Sequence, residues 1–231
     1  GSPACFLERP GAGLTALVSQ LDPNSAGKST GTLCFLLPRG VSGPVRVRVY
    51  LTEQHPPLPP SDPAFPVEEA EGRITIRNEH YRIVHDPQRQ GGFPSRIEFL
   101  PSGKVIDQFN WNDRVHHREW GGFYLRRTPE PQLELVTRGP VRAVVRLRLR
   151  YSQDSLWPAS RPQAVYEFTY YHGLPFIGLR AHVFQDTPFE WPELHVAEIH
   201  FPEANFRQYM TNEAAQARDL IADKGAHTGE W

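Results

Sequence analysis

The chain has 231 residues, of which 39% are hydrophobic and 22% charged, and such a chain can bury the core of one large all-β domain. Its 25 Lys and Arg balance its 26 Asp and Glu, so the formal net charge of -1 gives no overall positive field to gather a nucleic acid or an anionic membrane. The sequence has no run of about 18 apolar residues, as a membrane-spanning helix would need, and no basic-then-apolar leader opens it. The expected partners therefore include neither a nucleic acid nor a membrane.

The first part of the chain predicts short strands separated by rigid turns. Proline accounts for 23 of the 231 residues, roughly twice the usual share of about 5%, which indicates many turns and not disorder when apolar residues are also plentiful. Strands are predicted over residues 13–20, 32–37 and 45–51. The last is the clearest, because three valines alternate there with Arg46 and Arg48 at the period of two that marks a half-buried strand.

A proline-rich stretch divides the sequence. Residues 55–70 contain the run HPPLPPSDP followed by Pro66, and such a run can be neither a ladder strand nor a helix. We interpret it as a stiff linker or surface crossover between an N-terminal β-strand segment, residues 1–54, and a main β-domain, residues 71–231. The first segment can belong to the same sandwich as the second. The chain ends at Gly229-Glu230-Trp231, a pattern typical of the start of a strand, so the main domain is expected to be truncated at its C-terminus.

Beyond residue 71 the predicted strands become dense, and the fold class follows from them. They cover residues 73–77, 81–85, 96–100, 122–126, 133–137, 141–151, 165–171, 176–184 and 194–201, with turn residues between them. Only residues 212–224 have a helix-like pattern, which Gly225 would end. The sequence therefore predicts an all-β fold, an antiparallel β-sandwich with one short helix near the C-terminus.

Parts of this region resemble a known family. Residues 73–85 (RITIRNEHYRIVH), 91–100 (GGFPSRIEFL) and 102–105 (SGKV) are similar to the opening of a galactose-mutarotase-like β-supersandwich domain. Residues 138–141 (RGPV), 166–168 (YEF) and 173–175 (GLP) with Leu179 are similar to later parts of that domain. Such domains occur in polysaccharide lyases, in sugar epimerases and as accessory domains of glycoside hydrolases. The resemblance covers about residues 72–201 and implies a supersandwich fold with a carbohydrate-associated role, although the fold does not choose among those roles.

The richest candidate site is a polar and aromatic segment at residues 110–120. Saccharides are bound by aromatic faces that stack on their C–H surfaces and by planar amide, carboxylate and guanidinium groups that hydrogen-bond their hydroxyls. The segment supplies all of these groups, and a later loop adds a further indole. The candidate ligand-binding residues are Trp111, Asn112, Asp113, Arg114, Trp120 and Trp191. The alternative is a structural loop whose tryptophans plug the sandwich while its charges face water.

The same segment also permits uronate lyase chemistry, in which a base removes the proton alpha to a carboxylate and a cation stabilises the enolate. The candidate catalytic residues are His116 or His117, with Tyr124 as the acid or base partner and Arg114 as the neutralising cation. Adjacent residues of an extended chain point to opposite sides, so at most one of the two histidines is expected to face a substrate. Solvated or structurally hydrogen-bonded histidines are the alternative.

Arginines line one side of a predicted strand, at Arg142, Arg146, Arg148 and Arg150. A row of guanidinium groups can hold the carboxylates or sulfates of an acidic polysaccharide through bidentate hydrogen bonds. More often, such a row is an outer sheet face that pairs with Glu and Asp of the next strand. The expected partners are therefore an oligo- or polysaccharide, which can be acidic, and other domains of a longer chain.

Metal and thiol chemistry receive little support. His195 and His200 are five residues apart on a predicted strand and should face opposite ways, and the sequence has no His-Glu-x-x-His pattern. No cofactor is predicted, although loop carboxylates and carbonyls allow a structural calcium ion. Cys5 and Cys34 can form one disulfide in an oxidising compartment or stay two buried thiols.

The sequence as a whole predicts a secreted or periplasmic, carbohydrate-associated β-sandwich module of a polysaccharide-processing protein, which binds glycans or supports their recognition. A non-catalytic domain is favoured, because the sequence shows no clear nucleophile, paired-carboxylate or metal signature. The first alternative is a polysaccharide lyase, or part of one, that acts by β-elimination. The second is a purely structural domain that buttresses a separate catalytic domain and exposes a large apolar patch to it.

Overall fold

A computed structural model describes residues 3–9, 11, 13–23, 30–51, 54–57, 65–153, 160–201, 208–209 and 218–219. Regular structure in these residues is nearly all β-strand, so the predicted all-β fold class is confirmed. The strands are β1 (Ala4–Arg9), β2 (Gly13–Leu17), β3 (Ser19–Pro23), β4 (Gly31–Phe35), β5 (Arg46–Tyr50), β6 (Val67–Ala70), β7 (Arg73–Arg77), β8 (Tyr81–His85), β9 (Pro94–Phe99), β10 (Lys104–Ile106), β11 (Asn110–Trp111), β12 (Arg114–His117), β13 (Gly121–Tyr124), β14 (Gln132–Arg138), β15 (Arg142–Arg150), β16 (Gln163–Tyr171), β17 (Ile177–Phe184), β18 (Glu193–His195), β19 (Ile199–His200), β20 (Gln208–Tyr209) and β21 (Arg218–Asp219). Two single-turn 3-10 helices span Gln90–Gly92 and Leu125–Arg127. Within the described residues no helix has the length and apolar composition needed to cross a membrane.

Two antiparallel sheets face each other and form the body of the fold. One has five strands in the order β10-β9-β8-β7-β6, and the other has four in the order β14-β15-β16-β17. Successive side chains of a strand point to opposite faces of its sheet, and the burial of the four-stranded sheet follows this period. Its buried side chains include Ala143, Val145, Leu147 and Leu149 of β15 and Ala164, Tyr166, Phe168 and Tyr170 of β16.

The facing sides of the two sheets share one apolar core. Ile74 and Ile76 of β7 and Ile83 of β8 belong to the same buried cluster as Leu147 and Tyr166 from the opposite sheet. Burial of a side chain of this size stabilises the fold by about 1.5–3 kcal/mol relative to exposure. The alternation of apolar and polar residues gives each sheet one apolar side, and that side is buried because the facing sheet covers it.

One histidine lies inside this core. His85 Nδ1 is 2.8 Å from the carbonyl oxygen of Gly92, and Nε2 is 2.6 Å from the hydroxyl of Tyr170. A carbonyl oxygen can only accept, so Nδ1 donates to Gly92 and Nε2 accepts from the tyrosine hydroxyl. Burial lowers the pKa of His85 to about 4, and the ring is therefore neutral at neutral pH.

The N-terminal residues form smaller sheets with a separate core. β2-β1-β5 make a three-stranded sheet and β3-β4 a two-stranded one, and Cys5, Leu7 and Leu17 form the buried hydrophobic cluster of this region. Cys5 and Cys34 are both free thiols, so the alternative without a disulfide describes this structure. Burial raises the pKa of each thiol, which keeps both protonated.

Strand β3 docks this N-terminal region on the four-stranded sheet. Gln20 accepts hydrogen bonds from the backbone N–H groups of Val141 and Arg142, each at 3.0 Å. Asp22 of the same strand forms an ion pair with Arg142 at 2.7 Å. A Cβ at Gly139 would clash with the Gln20 side chain, so a glycine is needed for this close approach.

Some predicted elements differ from those observed. β1 has no counterpart among the predicted strands. The strand predicted over residues 194–201 is two strands in different sheets, β18 and β19, because Ala197 between them has a φ of 58° that breaks an extended ladder. The helix predicted over residues 212–224 lies mostly outside the described residues, and its two described residues, Arg218 and Asp219, form β21 instead. Residues 58–64 of the predicted linker also lie outside the described part, so the domain division stays a prediction.

Candidate functional site

Two small sheets beside the sandwich carry the polar and aromatic segment. β12 pairs with β13 on one side and β18 on the other, and β11 pairs with β19. The predicted loop over residues 110–120 is therefore largely strand, ending in a turn at residues 118–120. Because strands alternate their side chains, this segment divides its candidate residues between the interior and two outer surfaces.

Trp111 is a core residue. Its side chain is 4% exposed, stacks on Phe93 with ring centroids 4.6 Å apart, and donates from Nε1 to the Pro94 carbonyl at 3.0 Å. A tryptophan whose ring is packed and whose N–H is paired inside the protein has no face left for a sugar. The predicted role of Trp111 as a platform therefore does not fit its position, and the structural alternative does.

Asn112 and Asp113 follow Trp111 into the interior, and both are buried. The Asp113 carboxylate accepts a hydrogen bond from the Tyr166 hydroxyl and two more from the backbone N–H groups of Ala197 and Glu198, at 2.7 and 3.0 Å. Burial raises the pKa of Asp113, and these hydrogen bonds act in the opposite direction. Asp113 thus ties the turn between β18 and β19 to the sandwich, so its predicted role as a polar grip for a ligand does not fit its position.

The residues after Asp113 bring polar side chains together on one outer face. Val115 of β12 is buried, so Arg114 and His116 on either side of it point away from the core. The strand register pairs Arg114 with Tyr124 and His116 with Gly122. The Tyr124 hydroxyl would lie 2.9 Å from a Cβ at Gly122, and its ring therefore covers the residue opposite His116. His116 and Tyr124 therefore lie on the same face, and His116 Nδ1 is 3.9 Å from Glu193 on the neighbouring strand β18.

A cluster of carboxylates and imidazoles borders the same face. Glu198 contacts His195 Nδ1 at 2.6 Å and His200 Nε2 at 2.7 Å. Glu193 contacts His195 Nε2 at 3.2 Å, and Arg114 lies 3.4 Å from Glu198. Each of the two ring nitrogens of His195 therefore faces a carboxylate, one from Glu193 and one from Glu198.

The position of His195 and His200 corrects a sequence prediction. Their spacing along one strand predicts opposite directions, which is wrong, since both contact Glu198. The two histidines belong to different strands, and the turn at Ala197 resets the alternation between them. Among the described residues no group of three or more His, Cys, Asp or Glu side chains is arranged to hold a metal ion.

The hydrogen bonds of this cluster act on the acidity of its carboxyl groups. The hydrogen bond from His195 lowers the pKa of Glu193. Partial burial of Glu198 acts in the raising direction, but hydrogen bonds from His200 and Asn112 outweigh it and lower the pKa. Both carboxyl groups are therefore ionised at neutral pH and neutralise nearby cations.

His117 leads to a different surface, as the alternation within β12 predicts. Its ring stacks on Trp120 with centroids 4.4 Å apart, and Trp120 also stacks on Phe189 at 5.5 Å. Phe189 in turn contacts Trp191 at 4.8 Å. These four half-buried side chains form the aromatic cluster. Phe189 is absent from the predicted site, and the signal that could have identified it is the aromatic and proline-containing run FEWPE at residues 189–193.

One side of Trp120 carries no stacked ring. His117 and Phe189 both stack on this indole, yet their own centroids are only 5.5 Å apart. Two rings that sandwiched an indole would be separated by nearly twice that distance, so both lie on the same side. Among the described residues no aromatic ring stacks on the other side, and the Trp120 side chain is partly exposed.

The row of arginines lies on the outer face of β15, and part of it is neutralised. Arg142 pairs with Asp22 at 2.7 Å, and Arg146 pairs with Glu167 at 2.7 Å and with Glu134 at 3.6 Å. Two of the four arginines therefore form ion pairs with carboxylates of other strands, as the alternative interpretation of this row expects. The other two form no ion pair with any residue that the structure describes.

Comparisons of this chain with family models, with curated protein sequences and with solved structures find no match. The fold and its surfaces define an all-β protein built on antiparallel sheets. The resemblance to galactose-mutarotase-like domains stays a prediction, as do the role and localisation that it implies.

Proposed function

We propose that this protein is a carbohydrate-binding β-sandwich module and that the aromatic cluster is its saccharide platform. The observation that carries the proposal is the arrangement around Trp120, whose indole is backed by His117 and Phe189 on one side only. Sugars present flat C–H surfaces that pack on such a ring. The side of Trp120 on which no described aromatic ring stacks is the surface on which we expect a sugar ring to stack.

The packing behind Trp120 supports this role because it orders the side chain before a ligand arrives. A ring that is already held by stacked neighbours loses little rotational freedom on binding, and this lowers the entropic cost of association. Exposed charged residues next to the cluster in the chain, Arg118, Glu119 and Glu190, offer hydrogen-bonding groups for sugar hydroxyls. The site thus combines a rigid apolar surface with a polar rim.

The test is isothermal calorimetry of the wild-type protein and of Trp120→Ala with a panel of neutral and acidic oligosaccharides. We expect at least one oligosaccharide to bind and Trp120→Ala to weaken it about tenfold, the equivalent of about 1.4 kcal/mol and within the range of one lost aromatic contact. Phe176→Ala is the matched control, because this phenylalanine is 56% exposed and lies outside the aromatic cluster. It should leave the affinity unchanged.

Two results would contradict the proposal. One is a wild-type protein that binds no oligosaccharide of the panel, and the other is a Trp120→Ala protein that binds as tightly as the wild type. Near-ultraviolet circular dichroism of each variant separates a lost contact from a lost fold, since it reports on the packing of the remaining aromatic side chains.

A second candidate function, uronate lyase activity, is supported by the outer face of β12. His116, Tyr124 and Arg114 lie on the same face there, and the opposite orientation of His117 favours His116 as the base. The guanidinium of Arg126 lies 4.4 Å from the centre of the Tyr124 ring, and this cation–π contact holds the phenol in place. Glu198 and Glu193 partly neutralise Arg114, which weakens its support for an enolate.

The lyase candidate is tested by incubating the protein with pectic, alginate and glycosaminoglycan substrates and following the ultraviolet absorbance of the unsaturated product. If it is a lyase, His116→Ala and Tyr124→Phe should each abolish the signal. His182→Ala should not, because this exposed histidine lies on β17, away from the β12 face. A flat absorbance trace with every substrate would remove the candidate.

A structural role is also supported by one observation. The edge strand β17 and the residue before it expose large apolar side chains, at Phe176, Leu179, Val183 and Phe184. Exposed apolar side chains on an edge strand are typical of a surface that contacts another chain or domain. If buttressing is the whole function, the isolated chain should bind no glycan and should self-associate as its concentration rises, which analytical ultracentrifugation would detect.

A further inference from the structure

The outer face of the four-stranded sheet is organised as rows of side chains that run across the strands. Residues directly opposite each other in paired strands share a face, so the register of β14 to β17 defines these rows. One row reads Glu134, Arg146, Glu167 and Arg180; the next reads Gln132, Arg148, Val165 and His182; and the last reads Arg150, Gln163 and Phe184. Charge is distributed unevenly among them.

The first of these rows is balanced within itself. Its carboxylates and guanidiniums alternate across the sheet, and Arg146 and Arg180 both reach Glu167, at 2.7 and 4.0 Å. A chain of alternating charges has little remaining potential for an external anion, because each cation is already paired. This row behaves as a structural ladder.

The two rows beyond it are different. Arg148 and Arg150 are exposed and, among the described residues, form no ion pair. Both line an open groove of about 410 Å³. Gln132, Gln163 and the ring of Phe184 line it with them, together with one carboxylate, Glu130. Among the described residues, the groove therefore offers two guanidinium groups without an ion pair, two side-chain amides and an aromatic face, with a net positive charge.

We propose that this groove binds the anionic groups of an acidic polysaccharide, either carboxylates or sulfates. Arg148 and Arg150 would hold the anionic groups in bidentate hydrogen bonds, which the planar guanidinium matches in geometry. The amides of Gln132 and Gln163 would hydrogen-bond the neighbouring hydroxyls, and Phe184 would pack on a sugar face. The assignment to a saccharide rests on the proposed carbohydrate function, whereas the preference for an anion rests on the groove alone.

A nucleic acid is the weaker choice of anion for this surface. Nucleic acid grooves collect many cations that follow the phosphate backbone, whereas the described lining of this groove has two guanidiniums without an ion pair, and the adjacent row is neutralised. The chain as a whole has a formal net charge of -1. A short anionic site flanked by amides fits a sugar acid or sugar sulfate better than a polyphosphate.

The experiment compares matched ligands that differ in charge. Calorimetry is performed with an oligogalacturonate and its methyl ester, with a sulfated dextran oligomer and the unsulfated dextran, and with a single-stranded oligodeoxynucleotide of equal charge. The proteins are the wild type, the double variant Arg148→Gln with Arg150→Gln, Trp120→Ala, and Arg77→Gln as the charge control. Arg77 is an exposed arginine on the outer side of β7 in the other sheet, so its replacement removes charge without touching the groove.

If the groove binds an acidic polysaccharide, at least one acidic oligomer binds more tightly than its neutral counterpart, and the affinity falls as salt is added. The double variant should lose at least about tenfold of the acidic affinity, as expected when charge-assisted hydrogen bonds are removed, while Arg77→Gln keeps it. Preference for the uronate or for the sulfate pair identifies which anion the groove takes.

Three outcomes would overturn the inference. If the double variant binds the acidic oligosaccharides as tightly as the wild type does, the groove is not their binding site. If neutral oligosaccharides still bind and Trp120→Ala weakens them, the proposed carbohydrate function holds without the groove. An oligodeoxynucleotide that binds as tightly as the acidic sugars, through the same arginines, contradicts the assignment to a saccharide. No binding by any sugar to the wild type overturns the proposed function and the groove together.

Discussion

Residues 110–113 and residues 114–124 both combine tryptophan with polar side chains, but they place these side chains differently. The first part contains Trp111 and Asp113, which are 4% and 1% exposed. The second contains Trp120, which has one unstacked face, and Arg114 and His116 on an outer surface. The two parts meet at Asp113, whose carboxylate ties the segment to the sandwich through Tyr166.

The polar composition of a segment therefore does not separate the buried residues that anchor a site from the outward-facing residues that contact a ligand. Trp111 and Asp113 have their hydrogen bonds satisfied within the protein, so they fix where β12 begins. Trp120 and His116 then face outward at positions that this anchoring determines. We expect changes in the first part to alter stability and changes in the second to alter binding.

The largest effect should come from Trp111→Ala. Removal of a buried indole leaves a cavity in the core and an unpaired Pro94 carbonyl, and we expect a loss of about 3–5 kcal/mol in the free energy of unfolding. Urea denaturation followed by circular dichroism measures it. Trp120→Ala is the matched control and should cost about 1–2 kcal/mol, since its ring is only partly buried. Equal losses of unfolding free energy for the two tryptophans would contradict the claim that Trp111 contributes more to stability than Trp120.

The next largest effect should appear as the pH dependence of stability. The pKa of His85 is about 4 in the folded protein and about 6.5 when unfolded, so between these values the unfolded chain binds a proton that the folded one does not. Stability therefore falls as pH drops from about 6.5 to about 4, by about 3 kcal/mol in total. His85→Gln cannot titrate and should show a smaller slope in this window. Parallel pH profiles for the two proteins would contradict the prediction.

A smaller effect should distinguish two buried tyrosines. In Tyr166→Phe the buried Asp113 carboxylate loses a hydroxyl donor, and we expect a loss of about 1–3 kcal/mol in unfolding free energy. Tyr151→Phe is the control, because the Tyr151 hydroxyl is buried with no hydrogen-bond partner among the described residues. It should be neutral or slightly stabilising in the same denaturation experiment. A similar loss in both variants would mean that the hydrogen bond to Asp113 contributes nothing specific.

The smallest effect should come from Glu198→Gln on the outer cluster. Glu198 contacts two histidines, but its side chain is 30% exposed, and ion pairs at such positions contribute less than about 1 kcal/mol. We expect a change within that limit in chemical denaturation, with Glu68→Gln, an exposed residue of β6, as the control near zero. A loss comparable to that of Trp111→Ala would show that the outer cluster is structural, as the first part of the segment is.

The sequence predicted strands best where one side of a strand faces the core and the other faces water. β7 and β8 have the predicted bounds, and β15 shows its arginines outside and its aliphatic residues inside. β1 was not predicted, because four of its residues in succession are buried and such a strand has no alternation to detect. The run at residues 194–201 was predicted as one strand, because nothing in its pattern reveals the positive φ of Ala197.

The candidate site was predicted in part for a related reason. The opposite orientations of His116 and His117 follow from the geometry of any extended chain, and the structure has them. The convergence of His195 and His200 on Glu198 depends on a turn between two strands. Phe189 reaches the aromatic cluster from a loop about 70 residues further along the chain. The residues around Phe189 in the sequence do not reveal that it lies next to Trp120.

The sequence by itself determined which side of each strand is apolar, and so it determined that this chain forms antiparallel sheets with a buried face. Only the tertiary structure decided what lies opposite each residue. Asp22 neutralises Arg142 across 120 positions of the chain, while Arg148, which lies on the same strand and also stands between two apolar residues, faces an open groove. The reason is physical: local sterics and a period of two act between adjacent residues, whereas burial and charge pairing depend on the register between strands that only folding brings together.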